Sequence, residues 1–151
     1  MTLNQFNIRM DKTIINNKEY LFGMEMKVRD YEVDSEGIVN NAIYLHYLEH
    51  TRHEFCEAAG VSFREMHLNG IDPVLNKAEI EYKTPLTLGQ KFISCLNLDR
   101  HGVRFIFYQD IYDLNHNLVI KAKISCVTTK NGKLTRGDEL AQAFKEYLRR
   151  W

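Results

Sequence analysis

The chain has 151 residues, 44% hydrophobic and 26% charged, with 20 basic side chains against 20 acidic ones and no formal net charge. That balance is ordinary for a globular protein and gives no electrostatic footprint for a polyanion, so nucleic acid is not an expected partner. No apolar run nears the ~18 residues of a membrane span, and the opening MTLNQFNIRMDK has no apolar core for a signal peptide. The cysteines Cys56, Cys95 and Cys126 are odd in number and widely spaced, which argues against a disulfide framework and for a reducing cytoplasm. One domain over residues 1–151 is expected, burying roughly two thirds of the surface of its unfolded chain.

The first element is a strand over residues 19–28, EYLFGMEMKV, with Tyr20, Phe22, Met24, Met26 and Val28 on one face. From Asn41 to Ala59 the period changes to that of a helix: Tyr44, Leu48, Thr51, Phe55 and Ala58 form one stripe, Asn40 is a suitable N-cap and Gly60 a suitable stop. After a loop containing Gly70 and Pro73, residues 74–84 alternate again, with Lys77, Glu79, Glu81 and Lys83 on a wet face and Pro85 fitting a strand end. KFISCLNLD, VRFIFYQDIYD and LVIKAKISCVT are further strands, joined by the turn segments 99–102 and 114–117, and Asn131-Gly132 marks another turn. The tail is helix-like over about 138–150, with Leu140, Phe144 and Leu148 on one side. The predicted order is strand, long helix, about four antiparallel strands, terminal helix. A single long amphipathic helix must bury its stripe against a sheet, and a sheet of about five strands does that by curling around it; small sheets of this kind often pair edge to edge.

Between the first strand and the helix lies RDYEVDSEGIVNN, where Asp30, Glu32, Asp34 and Glu36 precede Gly37. Taken alone, Asp34-Ser35-Glu36-Gly37 reads as a type I turn and Asn40-Asn41 as a helix cap. Taken with its surroundings, VRDYEVDSEGIVNNAIYLHYLEHTRHEF resembles the D-x-D-x-x-G-x-V segment and central helix of the hotdog-fold thioesterases of the 4-hydroxybenzoyl-CoA thioesterase type. EYKTPLTLGQKF resembles the tyrosine, proline and glycine strand segment of the same family, and the likeness spans roughly residues 20–130. The NNAIY and RHEF wording is especially similar to plant single-domain acyl-ACP thioesterases, with the Tol-Pal-associated bacterial acyl-CoA thioesterases next.

The resemblance implies an α+β hotdog fold and hydrolysis of acyl-CoA or acyl-ACP thioesters, with a fatty acyl group favoured. It further implies a homodimer or homotetramer and no cofactor. It makes Asp34 the catalytic carboxylate, acting as general base or as nucleophile. The Asn41 backbone amide, in the first turn of the helix, becomes the donor to the thioester oxygen. Gly37, Val39, Asn40, Tyr44 and Leu48 are expected around the substrate, with Phe55 further along an apolar channel and Glu49 facing a neighbouring subunit's pocket. Glu32 stands where the family has its first Asp, and Asn40-Asn41 replace Tyr-His or two aromatics, so only a backbone contribution carries over there. A hydratase would place His where Val39 stands; a non-catalytic acyl-pantetheine module would keep the pocket without the chemistry.

Other candidates read as structure. His46, His50 and His53 share a helix face, but Glu57 occupies the place of the second His of a zincin, so a solvated face is expected and no metal. Cys56 reads as core. Arg100, His101 and Arg104 read as exposed hairpin charge, with contact to CoA phosphates as the alternative.

Overall fold

The computed structural model describes residues 11–148. A hairpin of β1 (Thr13–Ile15) and β2 (Lys18–Tyr20) leads into β3 (Phe22–Lys27), a 3₁₀ turn (Asp30–Glu32) and the long helix α1 (Ile43–Ala58). Then come α2 (Phe63–Leu68), β4 (Ile71–Tyr82), β5 (Lys91–His101), β6 (Arg104–Asp113), β7 (Leu118–Lys130), β8 (Lys133–Thr135) and α3 (Asp138–Ala143). The main sheet has the order β3-β5-β6-β7-β4, antiparallel throughout, and β8 pairs with β7.

The helix stripe sets this arrangement. Tyr44, Leu48, Thr51 and Phe55 are all buried, joined by Tyr47 and Cys56, and they pack with Phe92, Leu96 and Leu98 of β5, Phe105 and Phe107 of β6, and Ile120 and Ile124 of β7 in one core. Phe55 sits in an aromatic cluster with Phe22, Phe107, Phe144 and Tyr147. Two polar ties fix the helix on the sheet: Thr51 Oγ1 to Ser94 Oγ at 2.7 Å, and Gln109 Nε2 donating to the Leu48 carbonyl at 3.0 Å. A sheet curled around one buried helix is the hotdog fold.

The three long strands β5, β6 and β7 and the 114–117 turn stand where alternation placed them, whereas the turn expected at 99–102 is tighter, Gly102-Val103, because Asp99 to His101 continue β5 and pair with β6. The first strand is interrupted at Leu21, because Tyr20 belongs to a separate hairpin with β1. Its turn is Asn16-Asn17, with φ of 51° and 62°; positive φ at both central residues is the type I′ geometry that Asn tolerates. This hairpin covers the second face of β5 and β6. Tyr20 bonds there to Asp110 and Tyr112, and Asn97 is held by Leu21 N–H and Glu19 C=O. Gly23 is required beneath it, since a Cβ there would stand 2.7 Å from Thr13 Oγ1.

The expected loop after the helix contains α2, capped by Ser62 Oγ accepting from Glu65 N–H. Strand β4 begins earlier than expected, at Ile71, and slips register between Leu75 and Lys77. That slip breaks the expected single apolar face: Val74, Leu75 and Tyr82 are exposed along with Lys77, Glu79 and Glu81. Ala58 is also exposed, leaving the buried helix stripe at Cys56. The terminal helix is shorter than expected, ending at Ala143 before a looser turn; the end of the expected segment, 149–151, lies outside the described residues.

Candidate active site

The segment from Val33 to Val39 folds back on itself as a tight loop closed by a Val33–Val39 bridge. Asp34 N–H donates to the Ile38 carbonyl at 2.8 Å and Gly37 N–H donates to the Asp34 carbonyl at 3.0 Å. Gly37 has φ +80°, and a Cβ there would meet nothing within 4 Å, so the backbone conformation and not crowding calls for glycine. The Asp34 side chain is exposed. Its Oδ1 accepts the Glu36 N–H at 2.8 Å, and among the described residues Oδ2 has no partner. The turn reading is therefore real geometry, and it leaves one carboxylate oxygen of Asp34 available.

The loop is stapled to the helix by Glu32, which sequence reasoning set aside. Glu32 is buried, 7% exposed. Its Oε1 accepts both the Arg29 N–H at 2.7 Å and the Tyr47 hydroxyl at 2.9 Å, while its carbonyl accepts the Asn40 N–H at 3.0 Å. Burial first, and then the Glu32 carboxylate, push the Tyr47 hydroxyl pKa up, so it remains a donor. The available signal was the capping-box spacing Arg29 to Glu32, an acid able to return to the backbone three residues earlier.

Asn40 is not the N-cap expected of it, since α1 begins at Ile43 with Ala42 as its N-cap; two residues earlier, Asn40 Oδ1 accepts the Ala42 N–H at 2.9 Å and its carbonyl accepts the Ile43 N–H at 2.9 Å, closing the turn that leads into the helix. Asn41 follows, exposed; its carbonyl accepts the Tyr82 hydroxyl at 3.1 Å, and its N–H meets no acceptor among the described residues. Asn41 thus lies in the turn just ahead of α1 and not in its first turn as expected; an unsatisfied N–H near the positive end of a helix is suited to an oxyanion.

The remaining expected substrate contacts are placed differently. Val39, Tyr44, Leu48 and Phe55 are at most 2% exposed, sealed in the core and lining no open channel in the protomer. The reason is that the apolar helix stripe is the face the sheet covers; the Tyr44 hydroxyl is used to accept the Leu86 N–H at 3.0 Å. A cleft of about 880 Å³ lies instead between β3 and α1, lined by Met24, Met26, Glu32, Tyr47 and Leu88 among others, and neither Asp34 nor Asn41 borders it.

Glu49 is exposed on α1, 3.8 Å from His53, and His50 stands 3.8 Å from Glu54. His46 is exposed on the same helix, and no group of metal-ligating side chains occurs among the described residues. Cys56 is core, its thiol pushed up to about 12 by burial. Arg100 ties the β5–β6 hairpin to the chain before α3, donating to the Arg136 carbonyl at 2.6 Å and to Asp138 at 3.0 Å.

Comparison with known proteins agrees with this architecture. The model of the thioesterase-like superfamily matches residues 28–148. The chain is 36% identical over 110 residues to the chloroplastic acyl-acyl carrier protein thioesterase ATL2 of Arabidopsis thaliana, which covers 72% of this chain and 58% of that protein. The chain thus spans little more than half the length of that plant relative. Among solved structures, a hypothetical protein from Aquifex aeolicus superimposes with a TM-score of 0.75 at 31% identity, covering 81% of this chain and 98% of the other. The 1,4-dihydroxy-2-naphthoyl-CoA thioesterase of Synechocystis gives a TM-score of 0.76 at 17% identity, covering 84% and 94%, and shares the fold.

Proposed function

The chain belongs to the thioesterase-like superfamily, and from that premise we propose that it hydrolyses acyl-CoA or acyl-ACP thioesters to the free acid and the thiol. Supporting the reading, one short segment before α1 carries both a carboxylate oxygen of Asp34 and a backbone N–H of Asn41 that have no partner among the described residues. In this mechanism the Asn41 N–H donates to the thioester carbonyl oxygen as it gains charge. One such donor is typically worth roughly 2.7–4 kcal/mol in the transition state. Asp34 Oδ2 either takes a proton from the attacking water or attacks the carbonyl carbon itself. The Glu36 N–H on Oδ1 fixes which oxygen is presented. Glu32 keeps loop and helix in register through Tyr47 and Asn40.

We assign a fatty acyl group as the substrate, supported by the likeness to the plant acyl-ACP enzyme, and a homodimer or homotetramer as the working unit. Support for assembly comes from β4, an unpaired sheet edge with exposed Val74, Leu75 and Tyr82 and alternating Lys77, Glu79, Glu81 and Lys83. Exposed edges of this kind are templates for pairing. Three buried free cysteines fit a reducing, cytoplasmic setting, and no helix among the described residues is long and apolar enough to cross a membrane.

The test is release of free thiol from saturated acyl thioesters of increasing length on both carriers, with benzoyl-CoA beside them. Hydrolysis should climb with chain length, since each buried CH₂ contributes roughly 0.8 kcal/mol. Asp34→Asn should lower kcat at least about a hundredfold, the low end for acid–base catalysis. Full hydrolysis by Asp34→Asn would move the chemistry elsewhere, with Glu49 next to be substituted. No thiol release from any substrate would leave an acyl-pantetheine binding module.

A further inference from the structure

A second cleft, about 470 Å³, opens between the C-terminal half of α1, α2, the start of β4 and α3. Its walls are largely apolar, built by Phe63, Pro73, Leu75, Phe107 and Phe144. Arg52 stands half-buried within them, while Arg64, His53 and His67 line the same cleft as exposed side chains. The guanidinium lies 6.0 Å from the centre of the Phe107 ring and donates through Nη1 to Gln109 Oε1 at 2.9 Å. Gln109 is fully buried and its amide nitrogen is committed to the Leu48 carbonyl, so that oxygen is locked in place and the Arg52 side chain with it.

A guanidinium carries five N–H donors. Among the described residues the protein accepts one of them, with a neutral amide. Two carboxylates also line the cleft: Glu49, one turn before Arg52 on α1, acts on the guanidinium electrostatically and stands 3.8 Å from His53, and Asp72 meets His67 at 2.6 Å. Burial lowers the Arg52 pKa, and the Glu49 carboxylate on the preceding turn of α1 opposes that only in part. The Arg52 N–H groups that no described residue accepts are open to a further acceptor.

We propose that this cleft binds a medium-chain fatty carboxylate, with the carboxylate on the free face of the Arg52 guanidinium and the alkyl chain against Phe63, Leu75, Phe107 and Phe144. The planar fork of an arginine matches a carboxylate in two parallel hydrogen bonds, and the apolar walls suit an alkyl chain. The volume lies within the roughly 300–1,000 Å³ of small-ligand sites. Neither Asp34 nor Asn41 borders the cleft, although Glu49 does; the inference is read from ligand binding and the thioesterase reading from thiol release, so the two fail separately.

Titration of the full chain with decanoate, followed by backbone amide NMR with 1-decanol as the neutral control, tests it. Decanoate should saturate with shifts centred on Phe63, Phe107 and Cys126, and decanol should bind at least about tenfold more weakly, the scale of hydrogen bonds to a charged group. Arg52→Gln should abolish that discrimination, and Arg52→Lys should keep part of it. If Arg52→Gln does not fold, the decanoate-to-decanol ratio in the parent protein and in Arg52→Lys decides. Equal binding of the two ligands, shifts centred elsewhere, or no decanoate binding because a second copy of the chain closes the cleft would each overturn the proposal.

Discussion

Removing one hydroxyl tests the staple between the candidate loop and the central helix. Tyr47 is 3% exposed and donates to Glu32 Oε1 at 2.9 Å; Glu32 is 7% exposed and forms no salt bridge among the described residues. Tyr47→Phe deletes the O–H while keeping the ring, which packs 4.7 Å from Phe92 and 5.9 Å from Tyr44, centre to centre. No large cavity forms, so the loss is that of a buried hydrogen bond to a charged acceptor, about 2 kcal/mol. Glu32→Gln should cost less than about 1 kcal/mol, because the Arg29 N–H and the Tyr47 hydroxyl converge on one oxygen, and an amide oxygen can accept both. Urea unfolding measures the difference: the midpoint of Tyr47→Phe should fall with an unchanged slope, and that of Glu32→Gln should fall less. A Tyr47→Phe protein within about 0.5 kcal/mol of the parent, the range of ordinary surface substitutions, would refute the reasoning. The Glu32 carboxylate would then be served by water.

Burial pushes the thiols of Cys56 and Cys95 up to about 12, against about 8.5 in an unfolded chain. Between these values the unfolded chain holds fewer protons than the folded one, so stability should decline as pH rises from about 9 toward 12; urea midpoints across that range check it, and replacing both cysteines with alanine should flatten the decline. At the sheet edge, Lys77→Glu with Lys83→Glu makes β4 acidic at four alternate positions. Like charges facing across an antiparallel pair are unfavourable, so sedimentation should show a shift toward monomer, and an unchanged assembly would place the subunit contact elsewhere.

The sequence by itself determined what depends on local covalent geometry. Alternation located β5, β6 and β7, a 3.6-residue stripe located α1 and picked out Tyr44, Leu48, Thr51 and Phe55 as its buried face, and Asp34 to Gly37 declared a turn before any contact was known. Two shorter signals were also present, the Asn16-Asn17 pair of the β1–β2 hairpin and the Ser62-to-Glu65 cap of α2, but elements of three to six residues carry too little periodicity to stand out. Only the tertiary structure decided which surfaces meet. A stripe of apolar side chains can line a channel or a core with the same spacing, and the closing of the sheet over α1 made Tyr44 and Leu48 core. Glu32 and Arg52 are ordinary charged residues in a linear reading; burial beside Tyr47 made one a staple, and packing beside Phe107 and Gln109 set the other in the wall of a cleft. Periodicity fixes the direction a side chain takes from its own backbone, whereas the atoms it faces arrive from residues tens of positions away.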